Sequence, residues 1–299
     1  MCISDNLPDR LLLFEQIRII IFVYSHRGDA CETTRQRPAA LVACGLYHSV
    51  SVCAGDLYYL IQYRRYQCVP GYEVKRDILH VRVQHLEDWV ISSAVDGKVD
   101  TSAWRFQPEK VGSSLCTNDL GTHAEQMVAQ FTGLHVKRVP AMLDTYPRDL
   151  PLDTNVNVLM DFGGGVTGTL WASQIAIGHE CDSGIYVIGT EGSLEWTATD
   201  CDHLIYTPRS QPSQRLSAGA GYLLDASTRL SRVGAGQSKG FIEAFSNIYR
   251  SFCNVLSDRK AGRENTTDTF PTVEDGVLGV RFVEACVRSH TAGGVWMDV

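Results

Sequence analysis

The sequence predicts an α+β fold in which an open, antiparallel-rich sheet carries helices on one face. Two observations predict it. Between residues 155 and 196, four runs of alternating or β-branched residues are separated by glycine-rich turns, as in antiparallel hairpins. Elsewhere, apolar residues recur every three or four positions, which is typical of helices with one buried face.

At least five strands are predicted. Residues 78–85 (ILHVRVQH) alternate in character, and residues 155–162 and 166–173 are joined by glycines. Residues 185–188 and 193–196 flank a second glycine turn. An antiparallel sheet of this kind can cover one face with helices and leave the other open to water or to a second subunit.

The glycine run Gly163–Gly168 (GGGVTG) matches the dinucleotide-binding pattern G-x-G-x-x-G letter for letter. That pattern binds a dinucleotide only when it leads from a strand into a helix, whose N-terminus receives the pyrophosphate. The residues that follow, 169–172 (TLWA), have strand character. The run is therefore predicted to be a hairpin turn.

A helix is predicted between Asp119 and Gly133. Asn118 or Asp119 would cap its N-terminus, and Gly133 would end it. The spacing places Asp119 and His123 on the same face, one turn apart, at the edge of the apolar stripe. The stripe is formed by Leu120, Ala124, Met127, Val128 and Phe131.

Asp119 and His123 are the candidate catalytic pair. A carboxylate one turn from an imidazole raises the pKa of the imidazole and fixes its tautomer, as a group exchanging a proton with an alcohol near neutral pH requires. The same spacing is also typical of a capping arrangement on a helix surface. The residues alone leave both interpretations open.

Two further helices are predicted after a long loop over residues 207–238, and residues 295–297 are predicted to form a last strand. The first helix covers residues 241–256 and the second residues 273–289. Their predicted buried positions are Phe241, Phe245, Ile248, Phe252 and Val255 in the first, and Val277, Val280, Val283 and Val287 in the second.

Composition narrows the function classes. The chain has 299 residues, enough for two domains, with 27 basic and 34 acidic side chains and a net charge of −7. This balance argues against a nucleic-acid partner. Ten cysteines without a C-x-x-C pair indicate a reduced, cytoplasmic chain.

The apolar stretch at residues 11–24 is too short to span a membrane and is interrupted by Glu15 and Arg18, so a buried strand or helix is expected there.

Two other site chemistries were considered. His179, Cys181, Cys201 and His203 could form a tetrahedral zinc site, but the one-residue gap inside each pair is unusual, and no metal is expected. A hydrolase built on serine or cysteine would need an activated nucleophile. The sequence contains no G-x-S-x-G motif, and Cys116, the cysteine nearest His123, has no assignable activating environment.

The segment from Asn118 to His123 (NDLGTH) resembles the D-x-G-x-H segment of the Gfo/Idh/MocA (glucose-fructose oxidoreductase/inositol dehydrogenase) family. Other similar segments follow the same order along the chain, so the resemblance extends over everything downstream of about Ile78. They are AWR followed by PEK at 103–110, GTLWAS at 168–173, GTEG at 189–192, GFIEAF at 240–245 and FPTVEDG at 270–276.

The resemblance implies that residues 78–299 are a substrate and oligomerisation domain. It implies hydride transfer between NAD or NADP and a hydroxyl-bearing carbon of a sugar or polyol, in a homo-oligomer formed through the sheet face. His123 would exchange the hydroxyl proton, and Asp119 would orient and charge it. Trp104 and Arg105 would line the cleft. Lys98, nearby in sequence, could add an ammonium, although a loop lysine is more often exposed.

Residues 1–77 depart from the family pattern. In the family this region carries a Rossmann domain with a glycine-rich turn and a Lys-Pro pair, and neither is evident here; the closest match to the pair is Ser4–Pro8 (SDNLP). The segment is predicted to be an atypical Rossmann remnant, explained by a truncated or frame-shifted gene model. An inactive domain that folds and self-associates is therefore the second hypothesis for function.

Overall fold

The computed structural model describes residues 67–69, 72–73, 78–93, 99–223, 228, 231–268 and 270–299. The predictions for residues 11–24, for Ser4–Pro8 and for Lys98 lie outside the described residues. So does the predicted Rossmann remnant, apart from a two-stranded antiparallel sheet of β1 (Gln67–Val69) and β2 (Tyr72–Glu73).

One sheet of ten strands organises the rest of the described chain. The strands are β3 (Ile78–Leu86), β4 (Arg138–Val139), β5 (Ala141–Asp144), β6 (Asn155–Gly163), β7 (Val166–Ser173), β8 (Asp182–Gly189), β9 (Gly192–Thr197), β10 (His203–Pro208), β11 (Gln214–Ser217) and β12 (Met297–Asp298). Their spatial order is β11-β10-β9-β8-β3-β7-β6-β4-β12, and β5 pairs with β6.

The predicted hairpins are confirmed. β6 pairs antiparallel with β7, and β8 with β9. The glycines at 163–165 form the first turn, with φ values of 76°, 65° and 86°, a region that glycine adopts without strain. Because a strand follows this turn, the apparent dinucleotide motif is a hairpin, as predicted. One pairing is parallel, that of β3 with β7, so the sheet is mixed.

Among the described residues, five helices with complete bounds accompany the sheet. They are α1 (Trp89–Ser92), α2 (Pro108–Val111), α3 (Thr122–Thr132), α4 (Phe241–Lys260) and α5 (Val273–Thr291). Short 3-10 helices cover Trp104–Phe106 and Ala198–Asp200, and a π turn at Thr117–Gly121 leads directly into α3.

The core lies between α3, α5 and the inward-facing side chains of the sheet. Met127 of α3 and Phe282 of α5 share one buried cluster with Val158 and Leu170 of the central strands. The five predicted apolar residues are all buried, Leu120 in the π turn and the other four in α3. The α+β prediction is therefore confirmed, with the sheet on one side of the core and the helices on the other.

The buried faces of the last two helices differ from those predicted. In α4 the buried residues are Ala244, Asn247 and Ser251, while Phe241 is more than half exposed and stacks on Phe245 at 5.9 Å. Both faces of α4 carry apolar residues, so periodicity alone could not choose between them.

In α5 the valine stripe is only partly correct, since Val283 is buried but Val277 is exposed. Positions three residues apart drift around an α-helix, and the packed face instead includes Phe282, Ala285 and Cys286. The predicted loop at 207–238 contains β11, and the last strand starts at Met297 rather than at residue 295.

No helix in the described part of the chain is long and apolar enough to cross a bilayer.

Candidate active site

A cavity of about 400 Å³ opens where the end of β3 meets the π turn and the start of α3. Its ionisable lining consists of His85, Glu87, Arg105, Asp119, His123 and Cys181. Trp89 and Phe241 contribute aromatic walls. Because these residues come from five separate segments, the cavity is a product of the tertiary fold.

The π turn sets the position of Asp119. Asn118 and Asp119 were predicted to cap the helix, but both lie inside the helical run, which begins at Thr117. The capping group is the buried carboxylate of Asp153, which accepts hydrogen bonds from the Leu115 and Thr117 amides at 2.8 and 3.0 Å and from the Thr117 hydroxyl at 2.8 Å. The predicted end at Gly133 is confirmed, with φ 69°.

The structure brings Asp119 and His123 to the same cavity, as their spacing predicts. His123 lies in the first turn of α3 and is 3% exposed. Burial lowers the pKa of His123 well below its usual value, and the neighbouring His85 lowers it further. Its ring centroid is 5.4 Å from that of His85. The prediction that this pKa is raised is wrong, because burial disfavours the imidazolium and His85 acts in the same direction.

Asp119 is held by side chains from two other segments. Its Oδ2 accepts a 3.0 Å hydrogen bond from Gln174 Nε2 and lies 4.0 Å from Arg105 Nε. Burial raises the pKa of Asp119, and the guanidinium of Arg105 opposes that rise. Gln174 follows β7 directly and is fully buried. Nothing in the sequence near Asp119 indicates this partner, since it lies 55 residues away.

Trp104 and Arg105, the other predicted cleft residues, share the short 3-10 helix that precedes α2. Arg105 lines the cavity, and its guanidinium carbon lies 4.8 Å from the centroid of the Trp104 ring. Trp104 is 46% exposed and lies behind the arginine rather than in the cavity wall. The predicted segment is therefore at the site, with Arg105 as the side chain that reaches it.

His85, Glu87 and Cys181 were not predicted as site residues. His85 is buried, and its Nε2 lies 3.7 Å from Glu87 Oε1 and 3.8 Å from Cys181 Sγ. Burial by itself lowers the pKa of His85, but Cys181 and Glu87 outweigh burial and raise it to about 9. The one available signal was the H-x-E spacing at the end of β3, since residues two apart on a strand share a face.

A model of a known protein family matches part of this domain. A family model described as the GFO/IDH/MocA C-terminal domain matches residues 77–195, a span that contains both Asp119 and His123. Residues 77–195 are therefore similar to the C-terminal domain of the GFO/IDH/MocA family. This confirms the resemblance carried by the NDLGTH segment.

Relatives extend the match beyond that span. YfiI, an uncharacterized oxidoreductase of Bacillus subtilis strain 168, is 30% identical over 227 residues, which is 74% of this chain and 58% of YfiI. An inositol dehydrogenase homologue from Azotobacter vinelandii, solved with NAD+, is 28% identical with a TM-score of 0.70; the match covers 86% of this chain and 64% of that one. A structure of an inositol dehydrogenase homologue from that organism with NADH and myo-inositol is also 28% identical, with a TM-score of 0.67, and the match covers 86% and 63% of the two chains. The chain therefore spans less than two thirds of the length of these relatives.

The described residues of this GFO/IDH/MocA domain fit only part of a nicotinamide dinucleotide site. Within them, no strand leads through a glycine turn into a helix, so none of them is assigned to the pyrophosphate. The cavity instead offers a buried imidazole, carboxylates and a guanidinium beside aromatic walls. These groups suit a substrate bearing hydroxyls, which needs donors and acceptors set against an apolar surface.

The zinc site considered from the sequence is not assembled. His179 Nδ1 pairs with Asp182 at 2.8 Å, and His203 Nδ1 pairs with Asp200 at 2.5 Å. Among the described residues, the group with metal-ligand spacing is instead His85, Glu87 and Cys181. No disulfide is formed by the described residues Cys116, Cys181, Cys201, Cys253 and Cys286.

Proposed function

We propose that the chain takes part in the reversible oxidation of a hydroxyl-bearing carbon of a sugar or polyol, with NAD or NADP as cofactor. The observation that carries this proposal is the position of His123 and Asp119 on the wall of one cavity in a GFO/IDH/MocA domain. The inositol dehydrogenase homologue solved with NADH and myo-inositol supports the substrate class.

Alcohol oxidation separates a hydride from a proton. A bound nicotinamide cofactor supplies the hydride chemistry. His123 is proposed to accept the hydroxyl proton on an imidazole nitrogen and to return it in the reverse direction. Proton transfer by a positioned side chain typically contributes about 10²–10⁴-fold in rate.

Asp119 is proposed as a positioning residue for this proton transfer. Gln174 holds one carboxylate oxygen and Arg105 lies at ion-pair distance from the same oxygen, so the carboxylate has a fixed place in the cavity wall. A carboxylate fixed in this way favours one orientation of polar groups beside it. Arg105, 44% exposed, could also donate hydrogen bonds to substrate hydroxyls.

We further propose that residues 78–299 form the substrate and oligomerisation domain, and that the outer sheet face pairs with a second copy of the chain. A groove of about 580 Å³ on this face is lined by Met142, Leu159 and Trp171, whose exposed fractions are 62%, 53% and 40%. Contiguous exposed apolar side chains of this kind are typical of protein interfaces.

The test of the catalytic proposal combines cofactor binding with turnover. NADH and NADPH are titrated into the purified full chain while energy transfer from tryptophan to the nicotinamide is recorded. Turnover is then measured with myo-inositol and a panel of sugars. The expected result is saturable cofactor binding, with turnover that falls by about 10²–10⁴-fold in His123→Ala while cofactor affinity is unchanged.

His135→Ala is the matched control, because His135 is exposed and lies one turn beyond the end of α3. Wild-type turnover in His123→Ala would contradict the role of His123. A folded chain that binds neither cofactor would contradict the enzyme proposal. That result would instead favour the inactive, self-associating domain.

A further inference from the structure

We propose that His85, Glu87 and Cys181 form a site for a divalent ion of the zinc class, with an open coordination position facing the cavity. Nε2 of His85 lies 3.7 Å from Glu87 Oε1 and 3.8 Å from Cys181 Sγ. All three candidate ligand atoms lie within 4.8 Å of one another. With metal–ligand bonds of about 2.0–2.3 Å, neighbouring ligands of a tetrahedral ion are roughly 3.3–3.7 Å apart. The two distances to His85 Nε2 are therefore within a few tenths of an ångström of this spacing, and a side-chain shift of about 1 Å or less would bring Glu87 and Cys181 to it.

The sheet register places these three residues together. β3 and β8 pair antiparallel, with His85 opposite Ser183 and Leu86 opposite Asp182. Glu87 directly follows β3 and Cys181 directly precedes β8, so both residues lie next to this last pair of the register. His85 is on β3, and its Nε2 is close to both of their side chains.

The turn that carries Cys181 is anchored next to the site. Asp182 accepts hydrogen bonds from Gln84 Nε2 at 3.2 Å and from Thr197 Oγ1 at 3.4 Å, and it pairs with His179 at 2.8 Å. Cys181 itself has φ 60°, an uncommon conformation for a residue other than glycine, asparagine or aspartate. The fold thus holds the thiol close to His85 in spite of an unfavourable backbone.

A metal ion accounts for this arrangement better than hydrogen bonding does. One imidazole N–H points in one direction, so it cannot donate well to both Glu87 and Cys181. At 3.7 Å the imidazole–carboxylate distance also exceeds hydrogen-bond length. An ion between the three groups would satisfy all of them at once.

The ligand set determines the class of ion. Imidazole and thiolate are ligands of zinc and similar transition metals, whereas magnesium and calcium prefer oxygen alone. Three protein ligands leave a fourth tetrahedral position, as in catalytic rather than structural zinc sites. Since all three residues line the cavity with Asp119 and His123, that position would take water or a hydroxyl oxygen of a bound molecule.

Cobalt(II) substitution tests the site independently of turnover. The full chain is freed of metal with a chelator and titrated with Co²⁺ while its absorption spectrum is recorded. The expected result is one equivalent with intense tetrahedral d–d bands and a thiolate-to-cobalt charge-transfer band, both removed by added Zn²⁺. Cys181→Ser should abolish the charge-transfer band, and His85→Ala should weaken cobalt binding by about tenfold or more.

Cys253→Ser, which alters an exposed cysteine on α4, is the control and should leave the spectrum unchanged. Circular dichroism of each variant checks folding, and Cys181 is exposed, so its substitution tests the site even if His85→Ala does not fold. A wild-type spectrum without the charge-transfer band, or the same band in Cys181→Ser, would overturn the proposal. Because the readout is spectroscopic, its result is separate from the outcome for catalysis.

Discussion

At the scale of single residues, α3 buries two ionisable side chains whose pKa values move so that both favour the neutral form. Burial lowers the pKa of His123. Two residues later, burial and, to a smaller extent, the carboxylate of Asp275 raise the pKa of Glu125 from 4.5 to about 8. Burial also raises the pKa of the nearby Cys286 thiol of α5, and the carboxylates of Asp153 and Glu125 act in the same direction. The low polarity of the core thus favours the uncharged form of both the acid and the base.

Glu125 makes stability depend on pH. In the folded chain Glu125 keeps its proton up to about pH 8, whereas the unfolded chain releases it near pH 4.5. The folded state therefore binds more protons between these values, and the free energy of unfolding falls as pH rises through this window. The expected loss is on the order of a few kcal/mol.

Urea unfolding at several pH values between about 5 and 8 measures this dependence. Glu125→Gln, which is neutral throughout, should flatten the pH profile and be more stable than the wild type at the upper end. Glu284→Gln, at an exposed position of α5, should keep the wild-type profile. An unchanged slope in Glu125→Gln would show that another group controls the titration.

At the scale of elements, the start of the helical run that leads into α3 depends on a residue far from it in sequence. The first amides of a helix have no partner within the helix and need an acceptor. Here the carboxylate of Asp153 is that acceptor, and Asp153 is 5% exposed. The sequence offered Asn118 and Asp119 as local candidates, and Asp119 is instead left available to the cavity.

Asp153→Ala should therefore destabilise the chain by about 2–4 kcal/mol, because two buried amides and a hydroxyl would lose a charged acceptor. Chemical denaturation of the variant measures the change. The substitution Asp149→Ala, at an exposed position in the same connection, should change stability by less than about 0.5 kcal/mol. Equal stability of the two variants would rule out this capping role.

At the scale of the whole molecule, the sheet divides the domain into two sides. The helices cover one face and form the core, whereas the other face exposes the groove of Met142, Leu159 and Trp171. The cavity with Asp119 and His123 lies at one end of β3. The proposed proton transfer and the proposed self-association therefore use separate surfaces.

A double variant with Met142→Lys and Leu159→Lys should have a lower molar mass in solution than the wild type. The two ammonium groups would be buried between the paired sheet faces and would oppose their association. Light scattering coupled to size exclusion measures the mass. Ile177→Lys changes a residue that is 76% exposed outside the sheet and should leave the mass unchanged. A wild-type chain that is monomeric at all concentrations tested would contradict the self-association proposal.

Local patterns in the sequence were enough to predict the elements that neighbouring residues encode. Alternation and glycine turns predicted the β6–β7 and β8–β9 hairpins, and the apolar stripe predicted the buried face of α3 and its end at Gly133. The sequence also placed Asp119 and His123 on one face, and the NDLGTH segment indicated the family. These features follow from the residue periodicity of a single strand or a single helix. Residues close together in the sequence set that periodicity.

Only the tertiary structure decided the features made by distant residues. Asp153 caps the helix run, Gln174 holds Asp119, and Cys181 meets His85 across 96 positions of sequence. The pKa of His123 was expected to rise, but burial lowers it. Burial removes water from the ring, and its extent depends on every segment that covers the ring. The sheet register and the packing of α3 bring these groups together, and no local pattern records those contacts.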